Sequence, residues 1–106
     1  MMWKIINFLN ENEIEFECVT FGDAYRYGVE VDGLEVFFHK DFPESLALFD
    51  AFRAFMRSQA DAVIMVEDGG YYYCCHVMSA EDRDRLISAK EAAAAETAAF
   101  FRSIGR

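Results

Sequence analysis

Three short runs of alternating apolar and polar residues fill positions 14–40, and this two-residue period constrains the fold more than any other feature of the chain. Side chains with that period line opposite faces of a β-strand, so each run predicts a half-buried strand. The runs are separated by Gly22-Asp23 and by Asp32-Gly33, and the second pair is a strong signal for a two-residue hairpin. We therefore predict a three-stranded antiparallel meander made of residues 14–20, 24–31 and 34–40.

Outside this meander, the spacing of apolar residues predicts three helices and two further strands. Helical spacing predicts helices over residues 2–12, 42–59 and 80–103, and strand patterns predict strands over residues 61–68 and 71–78. Asp41, followed three residues later by Glu44, has the spacing of a capping box, in which a side-chain oxygen accepts from a free N–H group of the first turn. Ser79 precedes the last predicted helix as Asp41 precedes the helix over residues 42–59, and it is a second predicted cap.

These elements predict one small α+β domain that spans residues 1–106. Their order is α-β-β-β-α-β-β-α, with an antiparallel sheet of about five strands and helices packed on one face. A chain of 106 residues that is 54% hydrophobic and contains 11 phenylalanines can bury a modest core and is not disordered. No apolar run approaches the roughly 20 residues of a membrane-spanning helix, and the first residues do not resemble a signal peptide.

Negative charge is concentrated in the first half of the chain. Residues 1–50 hold 11 acids and three bases, a net charge of −8, whereas the whole chain has a net charge of −9. Such a segment repels nucleic acid and anionic membranes, and it favours contact with a basic surface on another protein. We therefore expect no direct nucleic-acid or membrane partner and a basic protein surface as the partner, for which a nucleic-acid-binding protein is one candidate.

The acids of the meander form the predicted binding site. The predicted protein-binding residues lie on the solvent face of the meander or beside its turns: Glu15, Glu17, Asp23, Glu30, Asp32 and Glu35. Carboxylates on such a face would stand about 5–7 Å apart, a charge density comparable to that of a nucleic-acid backbone, with only Arg26 to neutralise them. The alternative is that these acids simply keep an ordinary sheet face solvated.

The three cysteines do not predict a disulfide framework, since their number is odd and Cys74 and Cys75 are adjacent. Reduced thiols buried in a core are the simplest interpretation, and they favour the cytoplasm as the location. Cys74 and His76 share a face of their predicted strand and are, with the exposed His39, the candidates for a thiol- or histidine-dependent enzyme. No cysteine pair has the spacing of a zinc site, so we predict no metal, no cofactor and no catalytic residue.

The predicted order of elements is also found in two classes of nucleic-acid-handling protein. Restriction-type nucleases need a lysine two residues after a glutamate of the third strand, where this chain has Phe37. Double-stranded RNA-binding domains present lysines at the start of the second helix, where this chain has Asp41 and Glu44. The residues therefore argue against both activities.

The last predicted helix, residues 80–103, would be about 36 Å long, which is more than a domain of this size needs. Its alanine-rich middle would allow another helix to approach closely. It either packs wholly on its own sheet or pairs with a second copy of the chain.

The combined expectation is a small acidic protein-interaction module without enzymatic activity. Its anionic sheet face would bind a basic protein surface and would inhibit a nucleic-acid-handling protein in the manner of a nucleic-acid mimic. In size and charge the chain is similar to small acidic inhibitor proteins of phages and other mobile elements, a similarity of composition that includes no motif. The two alternatives are a structural homodimer built through residues 80–103 and a thiol- or histidine-dependent enzyme.

Overall fold

The computed structural model describes residues 2–104 of the chain, with side chains up to residue 102. Over this range the elements are α1 (Met2–Glu11), β1 (Phe16–Asp23), α2 (Ala24–Tyr27), β2 (Val29–His39), α3 (Pro43–Arg57), β3 (Ala62–Asp68), β4 (Tyr72–Ser79) and α4 (Ala80–Ile104). The four strands form one antiparallel sheet in the order β1-β2-β4-β3. The α+β class and the order of the long elements are confirmed, but the described sheet has four strands and not about five.

The segment predicted as the middle strand of the meander, residues 24–31, is divided between two elements. Its first half is α2, a single helical turn in which the Tyr25 and Arg26 N–H groups both donate to Oδ1 of Asp23 at 3.0 Å. Gly28 ends this turn with a φ of 73°, a left-handed conformation that glycine adopts without strain. The second half begins β2, so two predicted strands merge into one and the fifth strand is lost.

Asp32-Gly33 does not form the predicted hairpin, because β2 continues through both residues. Gly33 is buried, and a Cβ atom at this position would press on the Val77 carbonyl oxygen and lie 2.5 Å from Cε2 of Phe21. This glycine therefore permits the close approach of its neighbours in the sheet and does not make a turn. The connection between β1 and β2 is made by α2 instead.

Helices cover both faces of the sheet, so the prediction that they pack on one face was wrong. Successive residues of β2 point to opposite sides, and Leu34, Val36 and Phe38 belong to the hydrophobic cluster that includes α1 and α3. Val31 packs on the other side, in a cluster with Leu86 of α4. We call these two sides the α1/α3 face and the α4 face. Helix α4 covers only the Val31 end of its face, and the opposite end is open to solvent at Glu17 and Glu67.

The larger hydrophobic cluster lies between the sheet and the helices α1 and α3. Phe38 and Phe52 are almost completely buried at its centre, with their ring centroids 5.7 Å apart. Phe8 of α1 stacks on Phe55 of α3 with a centroid separation of 4.3 Å, which joins the two helices. Aromatic pairs at such distances contribute about 0.5–1.5 kcal/mol beyond their buried area, so this cluster forms the main core.

The two predicted helix caps have different outcomes. At the start of α4 the Asp82 N–H donates to Oγ of Ser79 at 3.1 Å, as the spacing of the sequence predicts. At the start of α3 the flanking residue is Phe42, which makes no side-chain cap, and Pro43 occupies the first helical position. The predicted cap by Asp41 is therefore wrong, because the helix begins one residue too late for that carboxylate to reach its N–H groups.

Helix α4 is the longest element, and only its first half packs on the sheet. Leu86 is buried and Ala93 is half-buried, whereas Phe100 and Phe101 are about 60% exposed near the end of the helix. The projecting half contributes to a longest dimension of 57 Å. None of the described helices combines the length and the apolar composition that crossing a lipid bilayer requires.

Candidate functional site

The acids predicted as one binding face are divided between the two faces of the sheet. Glu17 and Glu35 are directly opposite each other in the register of β1 and β2, on the α4 face. Glu30 and Asp32 lie on the α1/α3 face. The division follows from the straight course of β2, because Glu30 and Glu35 are five residues apart and an odd separation places side chains on opposite sides. The prediction of one continuous anionic face is therefore wrong.

The other two predicted acids are exposed and have local structural roles. Asp23 uses Oδ1 to cap the two N–H groups at the start of α2. Glu15 precedes β1, and its carbonyl oxygen accepts from the Phe37 N–H at 3.0 Å. Both carboxylates remain in contact with solvent and add to the negative field of the protein.

A cleft lined by carboxylates opens on the α1/α3 face, next to the starts of β3 and α4. Its volume is about 220 Å³, and three acids line it: Asp32 of β2, Asp61 just before β3 and Asp82 in the first turn of α4. The other residues of its lining are the apolar Met2, Ile5 and Ala62 and the polar Gln59 and Ser79. We call this feature the acidic cleft. Its lining suits a long side chain with an apolar stem and a positive end group.

Basic residues neutralise only one of the three carboxylates in the acidic cleft. A guanidinium nitrogen of Arg85 donates to Oδ1 of Asp82 at 3.1 Å, within the first turns of α4. In the part of the chain that the structure describes, no lysine or arginine forms an ion pair with Asp32 or Asp61. Asp32 accepts a long hydrogen bond from the Thr20 hydroxyl, at 3.4 Å. The cleft therefore keeps an excess of negative charge.

Sequence reasoning did not identify Asp61 and Asp82 as site residues. Each lies at a junction between two elements, and the Ala80 N–H donates to the Asp61 carbonyl oxygen at 2.9 Å, which brings the two junctions together. The register of β3 with β4 has the same effect, since it pairs Ala62 with Ser79. An acid at each junction was visible in the sequence, but the proximity of the junctions depends on this strand pairing.

Two of the three cysteines are buried, and all three are free thiols. Cys75 is completely buried in the larger hydrophobic cluster, which confirms core packing for this residue. Burial, followed by the neighbouring Cys74, raises the pKa of the Cys75 thiol to about 12. Cys18 is exposed, so the expectation that every thiol is buried was wrong for this residue.

Cys74 and His76 share the α4 face, as the alternation of their strand predicts, and they lie beside Glu35 and Glu67. Burial raises the pKa of the Cys74 thiol, and the charges of Glu35 and then Glu67 raise it further. A thiol that keeps its proton at neutral pH is a poor nucleophile, which disfavours the thiol-dependent enzyme. His39 is exposed, and its ring and that of Phe42 form a T-shaped pair with centroids 5.8 Å apart.

The described surface thus presents two separate groups of acids. One group lines the acidic cleft and can receive a positively charged side chain from another molecule. The other group surrounds His76 on the open end of the α4 face. No family model, no curated protein and no solved structure shows a significant match to this chain.

Proposed function

We propose that this protein is a small, non-enzymatic binding module whose acidic cleft receives a lysine or arginine side chain from the surface of a basic partner protein. The main support is the lining of the cleft, where Asp32 and Asp61 form no ion pair with a lysine or arginine of residues 2–102 and lie beside the apolar Met2 and Ile5. The apolar stem of a lysine or arginine would contact this wall while its charged end reaches the carboxylates. A hydrogen bond to a charged group contributes about 1.5–3 kcal/mol.

The remaining acids of the first half would act over a longer range. The net charge of −8 over residues 1–50 attracts a basic surface before contact is made and so accelerates association. Salt screens this attraction over a Debye length of about 10 Å at 0.1 M, so binding should weaken as salt is added. The residues to which we assign this role are exposed or half-exposed: Glu15, Glu17, Asp23, Glu30 and Glu35.

The partner class that we propose is a nucleic-acid-binding protein. Such proteins carry clustered lysine and arginine side chains on the surface that contacts phosphates. A module that occupies this surface would compete with nucleic acid and inhibit the partner. The exposed free thiol of Cys18 is compatible with a reducing compartment, and the cytoplasm is the location that this proposal implies.

A titration with short peptides tests the role of the acidic cleft. The protein would be titrated with a hexa-arginine peptide in about 0.1 M salt while its amide resonances are followed by NMR. We expect the largest shifts at Asp32, Asp61 and Asp82, and an affinity about tenfold lower, which corresponds to about 1.4 kcal/mol, in the double variant Asp32→Asn, Asp61→Asn. A hexaglutamate peptide should leave the spectrum unchanged.

The matched control is the double variant Glu15→Gln, Glu17→Gln. It removes the same charge outside the acidic cleft, at two carboxylates that are exposed. Screening should make its loss of affinity much smaller than that of the cleft variant. Equal losses in the two variants, or shifts centred on Glu15 and Glu17, would show that the peptide responds to net charge and not to the cleft.

A structural homodimer built through α4 is the second candidate. Its support is the projecting half of α4, where Phe100 and Phe101 are about 60% exposed and Ala94 and Ala98 are exposed as well. Sedimentation equilibrium should then give the mass of a dimer, and arginine at both alanine positions, Ala94→Arg and Ala98→Arg, should return the mass of a monomer. A monomer mass for the unaltered protein would eliminate this candidate.

A further inference from the structure

A second group of side chains, separate from the acidic cleft, lies on the open end of the α4 face. Glu35 of β2 is paired with His76 of β4, and Cys74 precedes His76 by two residues on the same face. A carboxylate oxygen of Glu35, Sγ of Cys74 and a ring nitrogen of His76 all lie within 4.8 Å of one another. An oxygen, a sulfur and a nitrogen donor from two adjacent strands therefore meet in one small space. We call this the Glu35–Cys74–His76 cluster.

The two ring nitrogens of His76 have different environments. Nε2 lies 3.0 Å from Oε2 of Glu67 on β3, and this hydrogen bond fixes the orientation of the ring. Nδ1 is buried, has no hydrogen-bond partner among the described residues, and lies 3.7 Å from Oε1 of Glu35. A buried polar atom without a partner costs about 1–3 kcal/mol. An ion bound by Nδ1 would remove this cost.

The surroundings of the cluster are negatively charged. Glu35 and Glu67 flank the His76 ring, and Glu17 is directly opposite Glu35 on β1. Like charges directly opposite each other destabilise a pair of strands. Over residues 2–102, none of these three glutamates forms an ion pair with a lysine or an arginine. The cluster therefore favours a bound cation.

We propose that the Glu35–Cys74–His76 cluster binds a divalent transition-metal ion, zinc in particular. A sulfur donor combined with an imidazole nitrogen selects this class of ion over magnesium and calcium, which prefer oxygen ligands. Zinc is commonly bound by three protein ligands with a fourth position open to water or another molecule. Glu67 holds the outer ring nitrogen in the way that carboxylates commonly orient a metal-bound histidine.

Small side-chain movements are enough to close the cluster around such an ion. Zinc bonds of ~2.0–2.3 Å in tetrahedral geometry place ligand atoms about 3.5 Å apart, which is closer than the limit of 4.8 Å that encloses the three donors. Glu35 has a flexible side chain that is 29% exposed, so it can rotate toward the buried Cys74 and the ring of His76. The positive charge of the ion would displace the thiol proton of Cys74 on binding.

Titration of the metal-free protein with zinc, in competition with a chromogenic chelator, tests this site. We expect one equivalent of zinc to bind, and cobalt in its place to give the near-ultraviolet absorption of a thiolate-to-cobalt charge transfer. Each of the variants Cys74→Ser, His76→Gln and Glu35→Gln should lower the zinc affinity at least about tenfold. Cys74→Ser should also abolish the cobalt absorption.

Each ligand has a matched control elsewhere in the chain. Cys18→Ser, His39→Gln and Glu30→Gln alter an exposed residue of the same type outside the cluster, and they should bind zinc and cobalt as the unaltered protein does. The absence of stoichiometric binding would overturn the proposal. Equal affinity in the ligand and control variants would overturn it as well. The double variant Asp32→Asn, Asp61→Asn should bind zinc normally, so this site and the acidic cleft are tested independently.

Discussion

Oε2 of Glu67 lies 3.0 Å from Nε2 of His76, which connects the edge strand β3 to the ring at the centre of the open α4 face. If this hydrogen bond orients the ring toward a metal ion, its removal should weaken zinc binding although Glu67 is not itself a ligand. We expect Glu67→Leu to reduce the zinc affinity by about 10- to 100-fold. Glu67→Gln keeps an oxygen acceptor and should lose less. Competition with the same chelator measures both variants.

Glu15→Leu is the control for the lost charge, since Glu15 is also exposed. It should change the zinc affinity less than either variant at position 67. A zinc affinity in Glu67→Leu equal to that of the control would show that the contact with His76 has no part in binding.

Gly33→Ala should destabilise the protein strongly. The added Cβ atom would meet the Val77 carbonyl oxygen and the ring of Phe21, and neither group can move without disturbing the sheet. We expect the free energy of unfolding to fall by about 3 kcal/mol, as measured by urea denaturation. Gly28→Asn is the control, because the space around Gly28 is open and asparagine tolerates its left-handed backbone. The control should lose less than about 1 kcal/mol, and similar losses at both positions would contradict the role assigned to Gly33.

The pKa of Asp68 should respond to Lys40. The hydrogen bond from Lys40 Nζ, followed by the hydrogen bond from the Gly70 N–H, lowers the pKa of this carboxyl below its usual value of 3.8. A carboxyl with a lowered pKa in the folded state adds stability above its usual pKa, and this contribution is lost as the pH falls through the lowered value. Lys40→Met should therefore raise the pKa of Asp68 toward 3.8 and reduce the loss of stability in acid.

An NMR titration of the Asp68 side chain measures this pKa directly. Lys4→Met is a suitable control, since Lys4 lies near the Trp3 ring and forms no ion pair within the described structure. An unchanged Asp68 pKa in Lys40→Met would show that the pair with Lys40 is not maintained in solution.

The three thiols should react with an alkylating reagent at very different rates. Cys18 is exposed, whereas Cys75 is completely buried and its pKa is raised to about 12. Near neutral pH the smaller thiolate fraction alone should slow Cys75 roughly a thousandfold relative to a thiol that keeps the ordinary pKa of 9.0. Mass spectrometry of the digested protein gives the extent of reaction at each position. In denaturant the three rates should become similar, and rapid labelling of Cys75 without denaturant would contradict its position in the core.

Local patterns of the sequence predicted most of the fold, but the hairpin predicted at Asp32-Gly33 was wrong, and the reason shows the limit of such patterns. Helical spacing located α1, α3 and α4, and Ser79 was correctly predicted to cap α4. Asp32-Gly33 favours a turn when only neighbouring residues are considered. Whether the chain turns there depends on Phe21 and Val77, which need a residue without a side chain between them. That requirement comes from strand pairing and is invisible in a short window of sequence.

The candidate sites were less predictable than the fold for the same reason. Alternation along β4 was sufficient to place Cys74 and His76 on one face. Glu35 lies beside these two residues because β2 pairs with β4, and Glu67 lies beside them because β3 pairs with β4. The proximity of Glu35 and Glu67 to His76 can therefore be predicted only when the order of the strands in the sheet is known.

Strand β2 supplies side chains to both hydrophobic clusters and acids to both faces. Inserting or deleting one residue within it would exchange every later side chain between the faces, which would bring Glu35 into the core and expose Val36 and Phe38 in its place. Natural selection should therefore tolerate changes of length in the connections around this strand and eliminate them inside it. The alternation of side chains along β2 would then preserve the α1/α3 face and the α4 face together as the protein evolves.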